Sequence, residues 1–138
     1  MPVSRTRTFP GRFDSLDAIR NFAAEAAEAA GLGKDAAYEV QLAVDEACSN
    51  IIEHAYGGEG LGDIECICLI QRHRLTVKLH DRGEPFDPSC VPQPDLECAL
   101  EQRQTGGLGL VLMYKLMDEI YFESDDSGNT LTLVKSRR

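Results

Sequence analysis

Apolar residues recur along this chain with two periods, and the switches between them mark its elements. Over residues 15–30, Leu16, Ile19, Phe22, Ala23, Ala26, Ala27 and Ala30 keep helical spacing. Asp14 or Ser15 can cap that helix, and Gly31 ends it. Its many alanines predict close packing against another element. A second helix is predicted from about Asp35 to Tyr56, where Val40, Val44, Ala47 and Ile51 form a stripe. Gly57, Gly58, Gly60 and Gly62 then make a flexible loop. A third helix is predicted over about 108–118, with Leu112, Met113, Leu116 and Met117 as its apolar set.

The other period is two. Residues 3–9 alternate, carry β-branched side chains and end at the Pro10-Gly11 turn, so they read as a strand. Segments 63–71 and 75–81 read as a hairpin joined by Arg72-His73-Arg74. In the second of these, Leu75, Val77 and Leu79 point inward while Thr76, Lys78 and His80 point outward. Two more strands, about 120–126 and 129–136, turn at Asp126-Ser127-Gly128-Asn129. Residues 84–105 are irregular and interrupted by Pro85, Pro88, Pro92 and Pro94, with room for a short helix over about 95–102. So long a loop in a small domain is usually functional. The order β, α, α, β, β, loop, α, β, β has hairpin-linked strands and helices gathered elsewhere. It predicts one α+β domain over 1–138, a two-layer α/β sandwich. Its sheet is expected to be mixed, mostly antiparallel and covered by helices on one face.

Charge and composition narrow the function. The chain has 138 residues and a formal net charge of −9. That argues against direct nucleic-acid binding, which needs a basic footprint. No signal peptide opens the chain and no apolar run reaches membrane-spanning length, so no membrane association and a cytoplasmic setting are expected. The cysteines Cys48, Cys66, Cys68, Cys90 and Cys98 fit no zinc spacing and read as buried thiols.

Three stretches carry candidate chemistry. Glu46, Asn50 and His54 stand four apart near one face of the second helix, away from its apolar stripe. The Asn50 amide oxygen can ligate Mg²⁺, and Glu46 can orient or deprotonate a nucleophile attacking a γ-phosphate. A polar helix face accounts for the same residues. Asp81-x-Gly83 at a strand end offers an acceptor for an adenine amine and room for a planar ring, and it equally fits an Asp-Gly turn. Gly107-x-Gly109 at a helix start lets backbone N–H groups approach an anion, and it also fits a plain turn.

In this order and with these separations, the three stretches resemble the Bergerat-fold (GHKL) ATPase superfamily. Glu46-x-x-x-Asn50 is similar to its N box, Asp81-x-Gly83 to its first glycine box and Gly107-x-Gly109 to its second. More narrowly, the chain resembles the anti-sigma-factor serine kinases. Glu46 to Tyr56, Gly106 to Leu110 and Leu116 to Glu119 carry that resemblance.

The resemblance implies ATP and Mg²⁺ as cofactors. Asn50 would hold Mg²⁺ on the triphosphate, and Glu46 would be the general base. Asp81 would accept the adenine amine with Gly83 beneath the ring. Gly106, Gly107 and Gly109 would line the phosphates. Thr132 would support adenine through its hydroxyl, with Thr130 a rival. Residues 84–105 would be the ATP lid and Arg103 its phosphate contact, although a solvated arginine explains Arg103 as well. His54 reads as a structural group at the helix end. Many members carry a second glycine where this chain has Pro85, which puts the lid's hinge geometry in question.

The implied activity is ATP-dependent serine/threonine protein kinase. It would phosphorylate a small anti-sigma-factor antagonist and, in one arm of the partner cycle, sequester a sigma factor. Homodimers are usual among such proteins, although no dimer face declares itself here. The alternative is an ATP-gated interaction module with little or no transfer, against which Glu46 argues. A third reading, a histidine-kinase catalytic domain, lacks a preceding dimerisation helix with a phospho-accepting histidine. The ordinary protein-kinase signatures, a strand-borne Val-Ala-x-Lys and His-Arg-Asp, are absent from the sequence.

Overall fold

The alternating segments pair into a five-stranded sheet, formed by β1 (Val3–Pro10), β2 (Asp63–Gln71), β3 (Arg74–Asp81), β4 (Glu119–Asp125) and β5 (Gly128–Ser136). The computed structural model describes residues 3–85 and 107–137. The strand order is β1-β2-β3-β5-β4. The sheet expected to be mixed is antiparallel at each described pairing. The helices are α1 (Leu16–Ala29), α2 (Lys34–Asn50) and α3 (Gly107–Leu116). A 3₁₀ turn, Phe13–Ser15, leads into α1, and a π-helical turn, Ile51–Ala55, continues α2.

Register makes one face of the sheet apolar. Cys66 lies opposite Leu79, which lies opposite Leu131, and Cys68, Val77 and Leu133 form the next row. All six are buried. Against this face pack Ile19, Ala23, Ala26 and Ala27 of α1, and Val40, Ala43, Val44, Ala47 and Cys48 of α2. The alanines let α1 and α2 approach closely, as their number suggests. Each fully buried Ile or Leu, such as Ile19, Ile52, Leu75 or Leu79, contributes about 1.5–3 kcal/mol.

Helix α1 stops where Gly31 takes φ +78°. There Gly31 N donates to Glu28 O and Leu32 N to Ala27 O, the paired bonds of a Schellman ending. Helix α3 begins one residue earlier and ends two residues earlier than the expected 108–118. Met113 and Met117 are buried, four apart, while Leu112 is exposed because it sits one position off that line. Cys48, Cys66 and Cys68 are free and buried, whereas Cys90 and Cys98 lie outside the described residues. The short helix expected over 95–102 lies outside them too. Among the described residues no helix is long and apolar enough to cross a membrane.

Candidate active site

Helix α2 separates its two faces as the stripe requires. Val40, Val44, Ala47 and Ile51 are buried, while Glu46 and Asn50 are half-buried on another face. Burial pushes the Glu46 carboxyl above its ordinary range, and the charges of Asp45 and Glu53 push the same way. A carboxylate shifted upward holds a proton more readily, which suits a general base. Asp45 is itself held, because the Arg20 guanidinium of α1 bonds both Asp17 and Asp45.

After Asn50 the helix widens. Tyr56 N donates to Ile51 O at 2.9 Å, five residues back, and Gly58 N to Ile52 O at 2.8 Å, six back. This π turn takes His54 off the line through Glu46 and Asn50 that regular α spacing would have kept. His54 is exposed, with Nε2 3.5 Å from Glu53 Oε2. Such turns inside helices are frequent at functional sites.

The widened end docks onto the Asp81-x-Gly83 turn. Glu84 N donates to Ala55 O at 2.7 Å. The Tyr56 hydroxyl donates to Asp63 O at 2.6 Å and accepts from Arg82 N at 2.9 Å. A Cβ on Gly83 would lie 2.3 Å from Ala55 O and 2.4 Å from Ala55 C. Gly83 was expected to leave room for a planar ring. What its missing side chain admits in this structure is the carbonyl of Ala55, so the helix end and the turn interlock.

Asp81 is 5% exposed and faces the helices. Its Oδ1 accepts from Gly83 N at 2.8 Å and from Asn129 Nδ2 at 2.9 Å. Oδ2 accepts no hydrogen bond among the described residues, so one carboxylate oxygen is fixed and the other is left for a ligand donor. Asn129 also donates to Gly83 O at 2.9 Å and Glu84 O at 3.2 Å, sharing two hydrogens among three acceptors. The β4–β5 turn comes close enough for this only because Gly128 has no side chain: a Cβ there would meet Asp81 O at 2.2 Å.

Asn129 is the residue at this candidate site that sequence reasoning missed. It looked like part of a hairpin turn. Its importance comes from the β3–β5 register, which sets Asn129 opposite Asp81. The same register places Thr130 and Thr132 on the other sheet face. Thr130 lies opposite His80 and its hydroxyl is 3.0 Å from His80 Nδ1. Thr132 lies between Lys78 and Tyr121. Neither threonine is brought together with Asp81.

Gly107 and Gly109 open α3, which packs against α2. Gly106, Arg103 and all of the expected lid except Glu84 and Pro85 lie outside the described residues; Pro85 is exposed where the described chain breaks off. A cleft at this end of the sheet reaches Asp81 and Gly83 and is lined by Thr8, Tyr56, Glu65 and His80, but neither Glu46 nor Asn50 lines it. Among the described residues no three His, Cys, Asp or Glu side chains gather as a metal site. A lone amide oxygen such as that of Asn50 suits Mg²⁺, which keeps most of its ligands as water and phosphate oxygens.

Comparison with known proteins agrees with this geometry. Residues 9–135 match the model of the histidine kinase-like ATPase domain. The chain is 37% identical over 102 residues to the serine-protein kinase RsbW of Bacillus velezensis, covering 70% of this chain and 62% of that protein. It is 32% identical over 130 residues to the protein of the same name from Bacillus cereus, covering 91% of this chain and 80% of that one. The Bacillus licheniformis protein of that name is 31% identical over 130 residues. The matched stretch thus spans less than two thirds of the first of these relatives and about four fifths of the other two.

Proposed function

The chain belongs to the histidine kinase-like ATPase family, and from that premise we propose that it is an ATP-dependent serine/threonine protein kinase of the partner-switching kind. Its substrate would be a serine on a small anti-sigma-factor antagonist, and in the unphosphorylated arm of the cycle it would sequester a sigma factor. The relatives named serine-protein kinases support the activity. The observation that carries the reading is the joining of two motifs at one place: the helix bearing Glu46 and Asn50 ends on Gly83 through the Ala55–Glu84 bond, beside the half-committed Asp81 carboxylate.

The roles follow from the chemistry of each group. Asp81 Oδ2 accepts the exocyclic amine of adenine, while Asn129 and Gly83 N hold Oδ1 still. Gly107 and Gly109 present backbone N–H groups at the start of α3, where the helix dipole favours phosphate. Asn50 would supply one oxygen to Mg²⁺, which would neutralise charge on the triphosphate oxygens. The serine Oγ attacks the γ-phosphorus in line, the bond to the β,γ-bridging oxygen breaks, and ADP leaves. Glu46 takes the serine proton. Buried free thiols at Cys48, Cys66 and Cys68 support a reducing, cytoplasmic setting.

The test is transfer of label from γ-labelled ATP to serine on a panel of small antagonist domains. Transfer that is lost in Glu46→Gln while ATP binding persists supports the kinase. Tight ATP binding with no labelled serine on any member of the panel would instead favour an ATP-gated interaction module.

A further inference from the structure

Lys135 is 4% exposed on the helix-facing side of β5. A buried ammonium is costly unless it is paired, and an apolar residue would fill the same place without that cost. Its partners come from two helices. Nζ donates to Leu116 O, the last carbonyl of α3, and stands 3.4 Å from Glu39 Oε1 of α2. A cation at a helix C-terminus satisfies an orphan carbonyl and the negative end of the dipole. The following turn is tied to the same strand, since Asp118 N donates to Val134 O at 2.9 Å and Ser136 N to Asp118 Oδ2 at 2.7 Å.

The far ends of these two helices carry the proposed chemistry. From Glu39 to Asn50 is roughly 16 Å along α2, and from Leu116 back to Gly107 is roughly 14 Å along α3, at about 1.5 Å per residue. Glu39 and Leu116 meet at one ammonium, α2 and α3 are in contact, and the rises from that point to Asn50 and to Gly107 differ by only about 3 Å. A slip of one residue would move the phosphate cradle by about 1.5 Å and turn it by about 100°. Misplacement on that scale can cost a hundredfold in a reaction that rests on positioning.

We propose that Lys135 is a positioning residue that sets the register of α3 against α2, and so the distance between the phosphate cradle at Gly107 and the metal and base groups at Asn50 and Glu46. This rests on the nucleotide-binding reading above. The test compares the unmodified protein with Lys135→Met and, as a milder change at a half-exposed partner, Glu39→Gln. Two quantities are read: amide hydrogen exchange over residues 111–117, and affinities for Mg·ATP and for adenosine.

The expected result for Lys135→Met is exchange at least tenfold faster in that segment with β2 and β3 unchanged. Mg·ATP should bind at least tenfold more weakly and adenosine within twofold of before, because the Asp81 end is untouched. Glu39→Gln should weaken Mg·ATP about threefold, again sparing adenosine, and it decides the matter if Lys135→Met fails to fold. Equal losses for ATP and adenosine, or unchanged exchange and affinity, would overturn the positioning role while leaving the nucleotide reading intact. Absence of any ATP or adenosine binding by the unmodified protein would instead overturn the nucleotide reading, and the positioning role with it.

Discussion

Gly83→Ala separates two reasons for a glycine at the heart of the site. If the residue is small to admit a nucleotide ring, the protein without ligand should tolerate alanine. If it is small to admit Ala55, that protein should suffer. The added Cβ would sit 2.3 Å from Ala55 O and 2.8 Å from Ala55 Cβ, about 1 Å inside an ordinary carbon–oxygen approach of about 3.3 Å. The obstacle is backbone and cannot swing aside. Relief means pulling the helix end off the turn, which stretches the 2.7 Å bond from Glu84 N. Overpacking costs about 1–3 kcal/mol and the lost hydrogen bond about 1 kcal/mol, so about 2–4 kcal/mol is expected. At roughly 3–4 °C per kcal/mol for a chain of this size, Tm should fall by roughly 6–16 °C. The assay is thermal unfolding by circular dichroism without nucleotide, followed by calorimetric titration with ATP. A Tm unchanged within about 2 °C alongside weakened ATP binding would refute the interlock as the reason for this glycine.

Further outcomes follow from the same geometry. Asn129→Ala removes donors to one carboxylate and two carbonyls and should cost about 2–4 kcal/mol in urea melts, with weaker adenosine binding; melts matching the unmodified protein would count against the clamp on Asp81. Thr132→Val, on the opposite sheet face, should leave adenosine affinity within twofold, and a tenfold loss would contradict the register. Asn50→Ala should weaken Mg·ATP binding, whereas Glu46→Gln should leave binding nearly intact and remove transfer; equal loss of binding in both would refute the assigned roles. Because Glu46 titrates above its ordinary value of 4.5 in the fold, activity should rise with pH through that raised value, and Asp45→Asn or Glu53→Gln should move the rise to lower pH. The stability contribution has the opposite sense: it is full below about 4.5 and lost as pH rises through the raised value. Glu46→Gln should abolish that slope in pH-dependent melts.

Much of the architecture was legible because it is written in local periodicity. The β2–β3 hairpin, the α1 ending at Gly31 and the buried stripe of α2 each depend on neighbours a few residues apart. What escaped depends on pairing between distant segments. No local signal says that Asn129 faces Asp81, since that follows from β3 and β5 meeting across the whole excursion between them. The same non-local register turns Thr132 outward. The π turn at Ile51–Ala55 was hidden for a different reason: Glu46, Asn50 and His54 keep perfect α spacing, and only docking on Gly83 gives the wider turn its partner. Glu46, Asn50, Asp81 and Gly83 were recognisable as motif residues, while the reason for Gly83 was not.

The bond between Asn129 and Asp81 joins positions 48 apart, and it also closes a seam. Strands β2 and β3 form a hairpin, so that part of the sheet can assemble from contacts local in the chain. The seam between β3 and β5 must wait for the whole intervening segment to return, a closure that costs about 3.4 kcal/mol in chain entropy. The Asp81 carboxylate therefore acquires its restraint from Asn129 only when this long-range junction of the sheet closes. A ligand held at that junction would act as a staple, giving back part of the closure entropy and coupling occupancy of the site to the cohesion of the two halves of the sheet.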